Sequence, residues 1–166
     1  DKLIEEDLTA YREAAKTEIS LYAASLELTT DVTEILDGYY DDIDEATTKS
    51  AIDKIVEAAK AKLDEIKAAE ILAAYKEAAK DEISDYAEKL ELTTDVSELL
   101  VGFNGDIDKA KDKDAVDKVV EDAKKKLDGV KAAEITKAKN DAKDEIEKQN
   151  KEDETNLPKL VDIKDD

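Results

Sequence analysis

The sequence predicts an all-α protein: two tandem three-helix bundles joined by a continuous shared helix, with a C-terminal helix extension and a loose tail. Three observations predict it. Tyr11 to Glu70 aligns without a gap on Tyr75 to Glu134, shifted by about 64 residues, with roughly two thirds of positions identical. Each copy holds three runs in which apolar residues recur at spacings of three and four, the mark of an amphipathic helix. The stretch from Ala51 to Leu90, which spans the junction, contains neither Gly nor Pro. These observations divide the chain into a first repeat over 1–70, a second over 71–134, and a helical extension and tail over 135–166.

Helix one of the first copy carries Leu8, Tyr11, Ala15, Ile19, Tyr22 and Leu26 on one face, repeated by Tyr75, Ala79, Ile83, Tyr86 and Leu90. Helix two carries Val32, Ile35, Leu36, Tyr39, Ile43 and Ala46, echoed by Val96, Leu99, Leu100, Phe103, Ile107 and Ala110. Asp31 with Glu34, and Asp95 with Glu98, have the cap-x-x-acid spacing that satisfies free amides at its start. Gly38 and Gly102 recur inside it, where Gly costs about 1 kcal/mol relative to Ala, and their retention points to close backbone packing. Asn104 and Gly105 add a turn signal, so helix two of the second copy is expected to kink or end early. Helix three runs through Ile52, Ile55, Val56, Ala59, Leu63 and Ile66, matched by Val116, Val119, Val120, Ala123, Leu127 and Val130. Its expected caps are Ser50 with Asp53 and Asp114 with Asp117.

No cap or breaker interrupts Ala68 to Tyr75, so the third helix of the first copy continues as the first helix of the second. That makes one helix of roughly 40 residues and, at 1.5 Å per residue, about 60 Å. The alternative is a break within Lys67 to Leu72 and a floppy joint. Ile135 to Glu147 remains helix-forming, after which the period is lost and Pro158 marks an extended or loose tail; LVDI alternatively starts a strand of a further domain. The N-terminal DKLIEEDL has no signal-peptide character and reads with the tail as an excised segment of a longer array.

Composition narrows the chemistry. The formal net charge is -20 and the pI about 4.4, with Lys interleaved among Asp and Glu, so nucleic acid and acidic membrane surfaces are not expected partners. No apolar run approaches the roughly 20 residues a membrane-spanning helix needs, and lipid-surface helices place Lys and Arg where these place acid. With no Cys and no His, thiolate and imidazole chemistry are absent, and Ser20 and Ser84 sit on helix one without an activating base. No catalytic, cofactor or metal site is therefore expected. Asp106 and Asp108 fit positions one and three of an EF-hand loop, but Lys111 and Asp117 fall where Gly and Glu are needed. The equivalent run from Asp42 fails too, with Thr47 and Asp53 at those places.

Tyr11, Tyr22, Tyr75 and Tyr86 are read as packing their rings in the core with hydroxyls in water. Tyr39 is matched by Phe103 and reads as core; Tyr40 is matched by Asn104 and reads as surface. The copies differ most usefully between Gly38–Asp42 and Gly102–Asp106, so Tyr40, Asp41 and Asn104 are the candidate protein-binding residues.

Tandem three-helix modules fused through continuous helices resemble the helical repeat arrays of Gram-positive cell-surface proteins and, in outline, the spectrin-type repeat. IDEATTKSAIDKIVEAAKAKL and IDKAKDKDAVDKVVEDAKKKL also resemble the second half of the albumin-binding GA module, over about a third of each copy. The resemblance implies a secreted, wall-attached protein whose repeats project other domains or bind host proteins. LPKLV at Leu157 to Val161 departs from the LPxTG sorting signal, and no albumin-contacting motif carries over residue by residue. The expectation is a non-catalytic, acidic, semi-rigid spacer whose partners are adjacent repeats or domains of the parent protein. The alternative is a module that binds a host or serum protein through an exposed helix face, helix two in particular.

Overall fold

A computed structural model describes the backbone of residues 2–161 and the side chains of residues 7–154. Every regular element of the described residues is an α-helix: α1 Lys2–Ser25, α2 Thr33–Glu45, α3 Lys49–Lys89, α4 Ser97–Lys109 and α5 Lys113–Val161. Two compact units result, Asp1–Tyr75 and Lys76–Asp166, and the boundary between them falls inside α3. The fold is two three-helix bundles that share α3, followed by a C-terminal extension of α5.

In the first unit Ile19, Ile43, Ile52 and Leu63 are sealed from solvent, and Ala15, Ala23, Ala46, Val56 and Ala59 fill the space between them. Burying each of the large side chains contributes about 1.5–3 kcal/mol, while the alanines let the helices approach closely. The second unit repeats the arrangement with Ile83, Ile107, Val116 and Leu127 sealed and Ala79, Ala87, Val120 and Ala123 buried beside them. Leu8, Tyr11, Tyr22, Leu26, Leu36 and Ile55 flank the first core half-buried, as their spacing requires.

The turn after α1 shows how each bundle is closed. Leu26 and Glu27 donate their amides to the carbonyls of Ala23 and Ala24, and Glu27 adopts φ 49°; Glu91 at the matching place adopts φ 47°. This left-handed residue ends the helix. It also presents the Glu27 carbonyl to Lys67 Nζ at 3.2 Å, as Glu91 presents its own to Lys131 at 3.0 Å.

The helix starts depart from the expected caps: Val32 and Val96 hold the cap positions of α2 and α4 without a side-chain cap hydrogen bond, and Asp31 and Asp95 act from one residue earlier. Asp31 Oδ1 accepts from the amide and hydroxyl of Thr33 at 3.0 and 2.6 Å, and Asp95 Oδ1 from those of Ser97 at 2.9 and 2.6 Å. Ser50 and Asp114, in contrast, lie inside their helices. The caps are Thr48, whose hydroxyl accepts from Ala51 N at 3.2 Å, and Asp112, whose carboxylate accepts from Ala115 N at 2.8 Å. Extended backbone at Ala46 and Ala110 turns the chain early enough to start the helix two residues sooner.

Three further expectations are corrected. α4 passes through Asn104 and Gly105 without interruption to Lys109. A Cβ built on Gly38 or Gly102 meets nothing within 4 Å, so neither glycine serves close packing inside the chain. α5 runs past Pro158 to Val161, so the loose tail does not begin after Glu147, and Leu160 and Val161 are helical; Asp162 and Ile163 lie outside the described residues. Strong helix formers carry the backbone through, and the fixed φ of proline is compatible with helix at the cost of one donor.

Candidate functional site

Tyr40 and Asp41 stand on α2 of the first unit, and Asn104, the counterpart of Tyr40, stands on α4 of the second. Tyr40 is half-buried and packs against the first core beside Tyr39, which corrects its assignment to the surface. The helix turns 100° per residue, and a large ring adjacent to the apolar face is drawn into its margin. Asp41 is exposed. Asn104 is half-buried, and its Oδ1 is buried without a hydrogen-bond partner.

The helix-one tyrosines are ties between helices. Tyr11 Oη donates to Asp53 at 2.5 Å, Tyr22 Oη to Asp64 at 2.6 Å and Tyr86 Oη to Asp128 at 2.7 Å. Donation to a carboxylate pushes each phenol above its ordinary value of 10. Lys60 lies over the Tyr22 ring at 5.3 Å and pairs with Glu18 at 2.5 Å; Lys124 lies over Tyr86 at 5.4 Å and pairs with Glu82 at 2.5 Å. The rings are read correctly from the sequence, but the hydroxyls are engaged.

Sequence reasoning passes over the most heavily bonded carboxylates. Glu70 Oε1 accepts from Thr29 N at 2.8 Å, Thr29 Oγ1 at 2.8 Å and Thr30 N at 2.6 Å. Glu134 Oε1 does the same with Thr93 N at 2.7 Å, Thr93 Oγ1 at 3.0 Å and Thr94 N at 2.6 Å. Hydrogen bonds from Thr30 and Thr29 hold the Glu70 carboxyl down to about 2 from an ordinary 4.5, and those from Thr94 and Thr93 hold Glu134 there too. Each clamp ties the α1–α2 or α3–α4 turn to the last helix of its own unit. The signal that could have found it is the recurrence of ELTTD and KAAE unchanged in both copies.

Concave surfaces are shallow. A groove of about 430 Å³ between α1 and α3 is lined by Tyr11, Ala14, Ala15, Glu18, Asp53 and Lys60 among others, and its carboxylates at 18 and 53 are already paired. A smaller groove of about 220 Å³ on α4 is lined by Glu98, Leu99, Gly102, Phe103 and Asp106. Elsewhere on α4 Val101 is 71% exposed, where the first copy has Asp37. Leu21, 66% exposed on α1, is answered by Asp85.

Among the described residues no group of three or more His, Cys, Asp or Glu side chains is placed to hold a metal ion. Asp106 and Asp108 lie within α4, not in a loop, and pair with Lys109 and Lys80. Ser20 is exposed on α1. No helix among the described residues is long and apolar enough to cross a membrane. No protein-family model, curated protein or solved structure matches the chain.

Proposed function

We propose that this chain is a non-catalytic structural repeat segment, an acidic helical spacer of a bacterial surface or secreted protein. The single observation that carries this reading is the continuity of α3 from Lys49 to Lys89, through the boundary between the units. A helix resists bending where a loop does not, so a module joined through one transmits orientation to its neighbour. The joint is also tied on either side: Glu70 is clamped within the first unit, and Ala79 and Ile83 are buried within the second. Surface charge supports the same role, since a net charge of -20 keeps repeated modules soluble and apart. The extracellular setting and the neighbouring repeats as partners rest on the resemblance to Gram-positive surface arrays.

The test uses the absence of Cys, which allows spin labels to be placed at Glu34→Cys and Glu98→Cys alone. The spacer reading expects one narrow distance distribution, broadened by inserting Gly-Pro after Leu72, which leaves the Glu70 clamp in place. A broad distribution in the unmodified joint would sink it. Exposed Val101, and separately the groove of Leu99, Gly102 and Phe103 edged by Glu98 and Asp106, favour a second reading, a module that binds a host or serum protein through α4. Specific capture of one serum protein by the full chain, lost in Val101→Asp, would establish that role; a spacer retains nothing specific.

A further inference from the structure

We infer that α5 from Ile135 to Glu154 is a free-standing single α-helix, on which no further bundle of this kind can close. Applying the repeat once more sets Ala79, Ile83 and Ala87, which α3 buries in the second unit, against Lys143, Glu147 and Lys151. Half-buried Tyr86 and Leu90 correspond to Asn150 and Glu154. Each of these buried positions of a helix one has thus become a charge, and charged side chains are costly to place in a bundle core. The structure agrees with this substitution pattern. Each residue from Ile135 to Glu154 is exposed although the backbone is helical throughout.

Two large apolar side chains remain, Ile135 and Ile146, which with Ala138 and Ala142 form one narrow stripe too small to build a bundle core. Ile135 is 46% exposed, as is its counterpart Ile71, and Ile146 is 59% exposed about three turns further on. What holds the segment is local. The bundle supplies a preformed helical end, fixed where Thr93 and Thr94 bond Glu134, so the costly nucleation step is bypassed and only propagation is needed. No Gly or Pro interrupts 135–154, and pairs such as Lys137 with Asp141 at 2.7 Å and Lys143 with Glu147 at 3.8 Å bridge successive turns. A helix this rich in charge persists through such rungs. The segment adds roughly 30 Å of helix that offers its neighbours mostly charge, with the apolar surface confined to that narrow stripe. Its state depends on these residues alone, whether the modules space or bind.

Backbone NMR on the full chain tests this. Helical Cα shifts are expected from Thr136 through Glu154, with amide protection falling stepwise away from Glu134 and unchanged across a wide range of chain concentration. Ala142→Pro is expected to weaken the helical shifts from residue 142 onward, because the remainder must then nucleate on its own, while the Thr93 and Thr94 amide signals stay put. Coil shifts over 136–154 in the unmodified chain would overturn the inference. So would protection that peaks around Ile146 or rises with concentration, since either means the helix packs against a second copy.

Discussion

Replacing the helical glycines by alanine should stabilise this protein, and the size of the gain follows from their surroundings. Gly38 lies in α2, Gly102 and Gly105 in α4, and Gly129 in α5, none with positive φ. A Cβ at any of them meets nothing within 4 Å, so no steric cost opposes the substitution. What remains is the backbone entropy that glycine loses on entering a helix, about 0.5–1 kcal/mol at each site. Gly38→Ala should therefore raise the stability of the first unit by that amount. The three second-unit substitutions together should give about 1.5–3 kcal/mol, with Gly102 and Gly105 close enough to depart from additivity. For units of this size each kcal/mol moves Tm by about 4–8 °C. Circular dichroism melts of the single and combined variants, checked by calorimetry, measure it. A Gly102→Ala variant no more stable than its parent, beside a Gly38→Ala variant that gains, would refute the reasoning at that site. If α4 binds a partner, Gly102→Ala should stabilise the free chain and weaken the complex, separating stability from recognition.

Three other outcomes are expected. The carboxyls of Glu70 and Glu134 are held at about 2, below their ordinary 4.5, so the stability they contribute is complete above pH about 4.5 and is lost as pH falls toward about 2. Carboxyl NMR titration should find both midpoints low in the folded chain and raised toward ordinary values by Thr29→Val with Thr30→Pro or Thr93→Val with Thr94→Pro, which leave only the amide of residue 29 or 93; unchanged midpoints in those variants would count against the clamp. Glu27→Gly and Glu91→Gly should each stabilise by up to about 1 kcal/mol, because φ near 49° and 47° strains any residue with a Cβ while the carbonyls to Lys67 and Lys131 are kept; chemical denaturation reads this directly. Leu63→Ala and Leu127→Ala, both at fully buried sites, should cost about 2–5 kcal/mol in their own units, whereas Leu21→Ala at 66% exposure should fall within about 0.5 kcal/mol of neutral.

Much of the architecture is legible because it is written in short-range pattern. The runs through Ile19, Ile43, Ile52 and Leu63 announce faces that the structure buries, and the Gly- and Pro-free junction announces the unbroken α3. Weaker local signals mislead. Ala23 and Ala87 are buried, yet alanine is too common on both faces of a helix to advertise it. Pro158 and the Asn104–Gly105 pair look like stops, but each acts against a whole helix of favourable residues and loses. Ser50 has cap spacing as good as that of Thr48, and only the extended backbone at Ala46 selects between them. Of the candidate site, Asp41 is where its surroundings put it, while Tyr40 turns inward to the core margin.

The sequence by itself determined the helices, the duplication and the shared helix, since propensity and periodicity act over a few residues and need no partner. Only the tertiary structure decided that Glu70 and Glu134 grip the Thr29–Thr30 and Thr93–Thr94 turns, that the tyrosine hydroxyls are tied to aspartates, and that the repeated glycines face open space. Those facts join residues some forty positions apart, and hydrogen bonds form between groups that are close in space, whatever their distance along the chain.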